Sequence, residues 1–224
     1  KCRQRIKKYK TNDNYFSKMD SREKAYILGI IFSDGHLYKN AKQLRVKLTD
    51  IDLLTKINKR ITDKPLLNVK KYGLMKKEAK HMIICNSVIY DDLIKLGMKQ
   101  NKTYTNEFPD LPPKYIPDFV RGFFDGNGWV TTSNKKGATL RIEIGIISTV
   151  LFCISLQKYL LSKRIVSDIG FDKRTDQRIC HLRIRNSKSA MTFYKLIYNN
   201  LIGQIFLKRK FYKYRTLLSK IKIW

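Results

Sequence analysis

Two stretches of the sequence end with an oxygen-bearing side chain followed by glycine. "ILGIIFSDG" places Asp34 before Gly35, and "VRGFFDGNG" places Asn127 before Gly128. The mainly apolar residues before each pair predict a helix that ends at the glycine. A carboxylate at a helix C-terminus opposes the helix dipole, so it needs a cation beside it. Hard oxygen ligands of this kind suit Mg²⁺, which can bridge phosphate oxygens and activate water.

Small residues recur at a spacing of four in both stretches. Gly29 and Ser33 share one helical face, and Gly122 and Gly126 share another. We expect the two helices to pack through these four residues about a pseudo-twofold axis, which would bring residues 34 and 127 together. The predicted metal ligands are Asp34, Asn127, Ser33 and Gly126. A plain helix-terminating turn explains Asp34 alone, but it does not explain why both copies share these features.

The chain looks like one unit used twice, because the two stretches align without gaps. Periodicity predicts the same order in each half, namely helix, two strands, helix, two strands, helix, which is an α+β fold. Asp20 and Glu23 have the spacing of a capping box for the first motif helix, and Pro117 suits the first turn of the second. The predicted division is a basic N-terminal arm, a first repeat, a linker and a second repeat, at residues 1–18, 19–105, 106–116 and 117–224. The arm is compatible both with a segment lying along phosphates and with a disordered tail.

The charge of the chain indicates a polyanionic partner. Its 47 Lys and Arg against 18 Asp and Glu give a formal charge of +29, which nucleic acid would offset. In "KQLRVKLTD" apolar residues alternate with cationic ones, and in "ATLRIEIGI" they alternate with Arg141, Glu143 and Gly145; "ICHLRIRN" is a further strand candidate. One such strand fits a solvated face, whereas repeated ones fit a concave DNA platform. The predicted DNA-binding side chains are Arg45, Lys47, Arg141, Arg183 and Arg185.

Several classes of protein are disfavoured by the sequence. The four cysteines form no C-x-x-C pair, so neither a zinc site nor a disulfide framework is indicated. The most apolar stretch, residues 144–156, is shorter than the roughly 20 residues that a membrane span needs. No secretory signal is indicated, so we expect an intracellular protein in an unspecified compartment. The three scattered histidines do not fit a ββα-metal nuclease, and a ribosomal protein leaves the duplicated helix ends unexplained.

These residues resemble the LAGLIDADG homing endonucleases, specifically the single-chain type with two motifs, at residues 27–35 and 120–128. The resemblance implies αββαββα units in duplicate, with the motif helices at the centre and two antiparallel sheets forming a saddle over DNA. It also implies a monomer that hydrolyses one phosphodiester on each strand of a long asymmetric duplex site, across the minor groove and with short 3′ overhangs. The implied cofactor is Mg²⁺, with Ca²⁺ or Mn²⁺ as substitutes.

The resemblance assigns roles to individual residues and exposes one departure. The eighth motif residue is a metal-binding acid in this family; Asp34 matches it, but Asn127 does not. Since Asn lacks the charge that hard cations prefer, we expect nicking, slow cleavage or none, and Asp125 points elsewhere on the helix. Lys102 and Lys210 match the basic residues that lie near each active site after the last helix of a repeat, where they would be phosphate or water-network partners. Asp50 and Thr149 match positions that often contact active-site solvent. The alternative is a non-cleaving nucleic-acid-binding relative, either an intron maturase or a regulator; intron, intein and free-standing genes all remain open.

Overall fold

The computed structural model describes residues 9–69, 78–102, 104–133, 141–171 and 178–220. The first half contains α1 (Arg22–Asp34), β1 (Gly35–Tyr38), β2 (Gln43–Leu48), α2 (Ile51–Ile61), β3 (Leu67–Asn68), β4 (Lys80–Cys85) and α3 (Ser87–Lys95). The second contains a 3-10 turn (Pro113–Tyr115), α4 (Ile116–Asn127), β5 (Gly128–Ser133), β6 (Arg141–Thr149), α5 (Val150–Ser162), β7 (Asp168–Gly170), β8 (Ile179–Ile184), α6 (Ser187–Tyr198) and α7 (Lys208–Ser219). The duplicated αββαββα order is confirmed, and α7 is an additional helix that the sequence pattern did not predict.

The strands form two separate four-stranded antiparallel sheets. Their orders are β1-β2-β4-β3 and β5-β6-β8-β7, so the same topology occurs twice. Gly35 pairs with Val46 in the first sheet, and Gly128 pairs with Ile146 in the second. Each sheet therefore begins at the glycine that ends its motif helix, which is why the helix end and the sheet face lie next to each other.

Each sheet has one apolar face, which lies against helices. Leu44, Val46 and Leu48 of β2 are buried, while the side chains between them point to the opposite face. Helices α2 and α3 pack on the first sheet, and α5 and α6 pack on the second. The inner faces and these helices form the hydrophobic core, and the two outward faces remain for other contacts.

Helices α1 and α4 pack directly against each other at the centre, as the spacing of small residues predicted. A Cβ atom on Gly29 would lie 2.2 Å from the carbonyl oxygen of Phe119. A Cβ atom on Gly122 would lie 2.1 Å from the carbonyl oxygen of Tyr26. Both distances are far below van der Waals contact, so this crossing requires glycine on both helices.

The ends of the motif helices differ in detail from the prediction. The N-cap of α1 is Ser21, whose side chain accepts a hydrogen bond from the backbone N–H of Lys24, and Asp20 is not the N-cap. Asp20 instead forms an ion pair with the Lys24 side chain at 2.9 Å. Pro117 lies in the first turn of α4, as predicted.

Gly35 and Gly128 end the two helices as predicted, but in extended backbone rather than in the left-handed conformation. The reason for glycine is space. A Cβ atom would lie 2.5 Å from the carbonyl oxygen of Ile31 at Gly35 and 2.2 Å from the Phe124 ring at Gly128. Within the described parts of the chain, no helix has the length and apolar character required to cross a membrane.

Candidate active site

The two motif helices bring their last residues together at one end of the pair. A Cβ atom on Gly126 would lie 1.9 Å from Ser33 Oγ and 2.3 Å from Asp34 Oδ2. Gly126 therefore makes room for the Asp34 carboxylate against α4, one residue before Asn127. Ser33 and Asn127 line the same cavity of about 200 Å³, together with Lys102, Asn106 and Thr149.

Asp34 is partly buried at the junction, which is the place where the C-terminal ends of α1 and α4 meet. Its Oδ2 accepts a hydrogen bond of 2.8 Å from Ser33 Oγ. Burial raises the pKa of the Asp34 carboxyl group above its usual range, whereas the Ser33 hydrogen bond and the positive charges of Lys102 and Lys210 oppose this shift. A cation bound beside Asp34 would lower this raised pKa, because it favours the carboxylate form.

Asn127 ends α4 with an uncharged side chain. Its Nδ2 lies 3.4 Å from the carbonyl oxygen of Ile147, to which it donates. The amide oxygen is then the atom that Asn127 could offer to a metal ion or to a phosphate-bound water. It is a weaker ligand for a hard cation than the carboxylate that Asp34 supplies.

Lys102 and Lys210 each close the C-terminus of one motif helix. Lys102 Nζ donates to the carbonyl oxygens of Ile31, Phe32 and Ser33 at 3.2, 2.6 and 2.6 Å. Lys210 Nζ donates to those of Phe124, Asp125 and Gly128 at 2.6, 2.7 and 2.6 Å. Most of these carbonyls belong to the last turn of a motif helix, so the ammonium groups offset the negative end of its dipole.

Burial lowers the pKa of both lysines. The pKa of Lys102 falls to about 7, and the charge of Asp34 opposes the fall. The pKa of Lys210 falls to about 8, opposed mainly by Asp125. Lys210 lies on α7, and not in a segment beyond the last helix as the sequence suggested.

Asp125 is the buried acid of the second motif. It accepts hydrogen bonds from Tyr26 Oη at 2.9 Å, from Tyr198 Oη at 2.8 Å and from the backbone N–H of Leu207 at 2.8 Å. Burial raises the pKa of its carboxyl group, while Lys210 and these donors oppose the shift. Asp125 therefore holds α1, α6 and the start of α7 together, which agrees with the expectation that it does not replace residue 127.

Asp50, just after β2, and Thr149, the last residue of β6, differ in chemistry and in their partners. Arg209 on α7 forms two hydrogen bonds of 2.7 Å to the carboxylate of Asp50, which precedes α2. At the corresponding position before α5, the hydroxyl of Thr149 donates to the carbonyl oxygen of Asn106. Sequence reasoning missed Arg209 and Asn106. Neither residue stands in a motif, and both act through contacts with distant segments.

The donor set around residues 34 and 127 fits a hard cation in part. Asp34 supplies one carboxylate and Asn127 an amide oxygen, but the Ser33 carbonyl already accepts from Lys102. Within the described ranges, no group of three His, Cys, Asp or Glu residues could hold a metal ion. A Mg²⁺ ion here would therefore depend on water and phosphate oxygens for most of its ligands, as this ion commonly does.

Three of the five predicted DNA-binding residues lie at the outward faces of the two sheets. Arg45 and Lys47 alternate with the buried residues of β2, and Arg183 alternates with those of β8. Arg185 directly follows β8 and is half-exposed. Arg141 begins β6, but its side chain lies outside the described part of the structure.

A family profile described as "LAGLIDADG-like domain" matches residues 115–198. Among solved structures, the meganuclease I-SmaMI bound to uncleaveable DNA has a TM-score of 0.60 and 13% identity, covering 87% of this chain and 89% of its own. The homing endonuclease I-WcaI bound to its DNA recognition sequence has a TM-score of 0.60 and 13% identity, covering 90% of each chain. At these identities the likeness is one of fold.

Two curated relatives cover less of the chain. An uncharacterized protein of Methanocaldococcus jannaschii is 30% identical over 138 residues, which is 56% of this chain and 48% of that protein. The NrdEB alpha subunit of the Bacillus subtilis ribonucleoside-diphosphate reductase is 28% identical over 180 residues, which is 73% of this chain and 16% of that subunit. The chain thus spans about half the length of the first relative and a sixth of the second. The second half of the chain thus contains a LAGLIDADG-like domain, and over most of its length the chain shares the fold of the solved homing endonucleases.

Proposed function

We propose that this protein is a site-specific endonuclease that uses a divalent metal ion to hydrolyse phosphodiesters of double-stranded DNA, and that Asn127 impairs one half of its active site. The fold supports a DNA endonuclease, because I-SmaMI, I-WcaI and I-LtrWI share it and each was solved bound to DNA. The formal charge of +29 provides the attraction to the phosphate backbone.

One observation carries the proposal. The α1–α4 crossing places Asp34 against Gly126, next to Asn127, between two sheets whose outward faces carry cationic side chains. A duplex lying across both sheets would present its backbone to these two side chains. Such a site joins substrate positioning with a ligand for a cation, which phosphodiester hydrolysis requires.

The residues of this chain have separate tasks in such a reaction. Asp34 would hold Mg²⁺ with help from Asn127, and the bound ion would polarise the phosphate and lower the pKa of water. Lys102 and Lys210 keep the two helix ends in place through their carbonyl contacts. Gly126 keeps α4 close enough for residues 34 and 127 to act on one duplex.

The substitution at residue 127 predicts unequal treatment of the two DNA strands. Asp34 has a carboxylate where Asn127 has an amide, and the flanking positions also differ, with the Asp50–Arg209 pair on one side and Thr149 on the other. We therefore expect the wild-type protein to nick one strand faster than the other, or to cleave both slowly.

The test restores the missing acid. A duplex target is first selected from a randomised library, and its strands are labelled separately. Asn127→Asp should raise the rate of Mg²⁺-dependent cleavage of the slower strand more than that of the faster one. Asp34→Asn in the restored protein is the control and should abolish the gain. Unchanged strand rates in Asn127→Asp would contradict the proposed role of residue 127.

A second candidate function is binding without cleavage, as in a regulator or an intron maturase that acts on RNA. The uncharged Asn127 favours it. Selective binding of a duplex by both the wild-type protein and Asn127→Asp, with no scission by either in Mg²⁺ or Mn²⁺, would support this candidate.

The remaining parts of the proposal concern the assembly. We expect a monomer on a long asymmetric target, with residues 19–105 and 117–224 each contacting one half-site. Sedimentation of the protein with its selected duplex should give one protein chain per duplex.

A further inference from the structure

The outward faces of the two sheets can be compared position by position, because the sheets have the same register. Val46 pairs with Gly35 and with Met82, and Ile146 pairs with Gly128 and with Leu182. Residues of β2 and β4 thus correspond to residues one hundred positions later in β6 and β8. This correspondence shows whether the pseudo-twofold symmetry extends to the surfaces proposed to contact DNA.

The outward side chains break that symmetry. Arg45 corresponds to Gly145, and Lys47 corresponds to Ile147. The reverse holds on the next strand, where apolar Ile83 of β4 corresponds to cationic Arg183 of β8. Among the described side chains, the outward cations Arg45 and Lys47 lie on β2 in the first sheet and Arg183 lies on β8 in the second, and both strands are interior to their sheets.

In the second sheet, strand β6 carries an apolar surface at the positions where β2 carries Arg45 and Lys47. The indole of Trp129 covers Gly145 so closely that a Cβ atom there would lie 1.9 Å from Trp129 Cζ2. The ring also meets His181 edge-on, with centroids 5.5 Å apart. Ile147 is 39% exposed beside it. Such a surface suits thymine methyl groups and sugars rather than phosphates.

The cations of the second sheet are paired with acids. Glu143 Oε2 accepts a hydrogen bond of 3.3 Å from Arg185 Nε, and Glu143 Oε1 lies 3.9 Å from Arg183 Nε, which is an ion-pair distance without a hydrogen bond. Asp168 lies 3.2 Å from Arg185 Nη1. In the first sheet the Arg45 guanidinium has neutral neighbours, since it donates to Gln43 and lies 4.3 Å from the centroid of the Tyr38 ring. β1, β2 and β4 contain no acidic residue at all.

An acid on a surface that faces DNA repels phosphates, so it weakens binding to any sequence. It also fixes the orientation of an arginine, which then presents its remaining N–H groups in a defined direction. Arginine N–H groups held in this way can recognise the O6 and N7 acceptors of guanine. The arrangement around Glu143 thus lowers affinity for DNA in general and favours recognition of bases.

We propose that Glu143 determines specificity for the half-site bound by the second sheet, by orienting Arg185 through a hydrogen bond and drawing Arg183 through its charge, so that both serve base contacts rather than phosphates. This inference rests on the proposed function, because it requires that the sheet faces bind a DNA duplex. It predicts that the two half-sites are read differently. The first sheet reads its half-site with Arg45 and Lys47 near the centre, and the second sheet reads through its oriented arginines and the Trp129 surface.

The test compares Glu143→Gln with Asp52→Asn, which removes the same charge from the exposed surface of α2, where Asp52 pairs with Lys56 at 2.8 Å. Binding to the selected duplex is measured against duplexes scrambled in one half-site at a time, over a series of salt concentrations. Glu143→Gln should lower discrimination in the second half-site about tenfold, and leave the first unchanged. It should also steepen the salt dependence by about one unit, as a freed arginine engages a phosphate.

Two further measurements separate a specific role from loss of structure. Glu143→Asp should restore part of the discrimination, because it keeps the charge, and the unfolding midpoint of Glu143→Gln should stay near that of Asp52→Asn. If Glu143→Gln loses discrimination equally in both half-sites, or loses none, the inference is overturned while the proposed function stands. A wild-type protein that binds no duplex selectively would instead refute the proposed function itself.

Discussion

At the scale of single residues, the two buried lysines have a defined structural task. Each ammonium group has three N–H donors, and each meets three carbonyl oxygens at the end of a motif helix. The resemblance to the family suggested phosphate or water partners for Lys102 and Lys210, and that role stays a prediction. Their donors are directed at the backbone beside Asp34 and Asn127, so they position the residues proposed to meet DNA.

The pKa of Lys102 predicts a dependence of stability on pH. Its folded-state pKa of about 7 lies below the ordinary value of 10.5, so between these values the unfolded chain binds a proton that the folded protein lacks. The contribution of Lys102 to the free energy of unfolding therefore rises with pH in this window, by up to about 1.4 kcal/mol per pH unit. Lys102→Met should remove this contribution, so the free energy of unfolding of the wild type, taken relative to that of the variant, should rise from pH 7 to pH 9 in urea titrations.

Lys99→Met is the matched control, because Lys99 is partly exposed and pairs with Glu107 at the surface. Its stability difference from wild type should stay nearly constant over the same pH range. A Lys102→Met difference that also stays constant would mean that Lys102 keeps an ordinary pKa in the folded protein.

At the scale of elements, the close crossing of α1 and α4 determines the site. The backbones approach so closely at Gly29 and Gly122 that the end residues of both helices reach one junction. Aromatic side chains pack around the crossing, with Phe32 and Phe119 in edge contact at 5.3 Å. Any change that separates the helices should therefore move residues 34 and 127 apart before it affects either sheet.

Gly122→Ala tests this crossing. The added Cβ would meet the backbone carbonyl of Tyr26 at 2.1 Å, and backbone cannot move aside as a side chain does. We expect a loss of about 3 kcal/mol in the free energy of unfolding, measured by urea denaturation.

Gly170→Ala is the control, since its nearest atom would be 3.6 Å away on the Arg183 side chain, and its expected change is within about 0.5 kcal/mol. Equal stability of the two variants would show that the crossing tolerates side chains.

At the scale of the whole molecule, a buried charge cluster joins the two halves at the other end of the helix pair. Asp118 of α4 accepts from Arg121 and lies 3.0 Å from Arg22 Nε of α1. Arg22 also donates to the carbonyl oxygens of Asn199 and Asn200, which follow α6. Arg121 is fully buried, so it depends on Asp118 for its charge balance.

Asp118→Ala should therefore destabilise the whole molecule. Removing the acid leaves the Arg121 guanidinium buried and uncompensated, which costs about 3–5 kcal/mol. Thermal unfolding should show one transition at a lower temperature. The exposed Asp110→Ala is the control and should change the midpoint little. Two separate transitions in Asp118→Ala would indicate that the halves had come apart while each stayed folded.

Sequence alone was sufficient for features that depend on local periodicity. The alternation in β2 and the repeated motif predicted two equivalent sheets and a central helix pair. The four-residue spacing from Gly29 to Ser33, and from Gly122 to Gly126, predicted which helix faces meet. Helix α7 has three buried residues at intervals of four, and one of them is a lysine, which is why the helix was missed. Lys210 stands with Tyr214 and Leu218, and a cation in an apolar stripe obscures the helical pattern.

The tertiary structure alone decided the contacts between residues that are far apart in sequence. Lys102 reaches carbonyls about 70 residues away, Arg209 pairs with Asp50, and Glu143 of β6 pairs with Arg185 at the end of the neighbouring strand β8. Composition and spacing showed that these side chains are charged, but not which partner each one meets. Ion pairs and buried hydrogen bonds depend on distance and burial in the folded molecule, and those quantities exist only once both halves have packed.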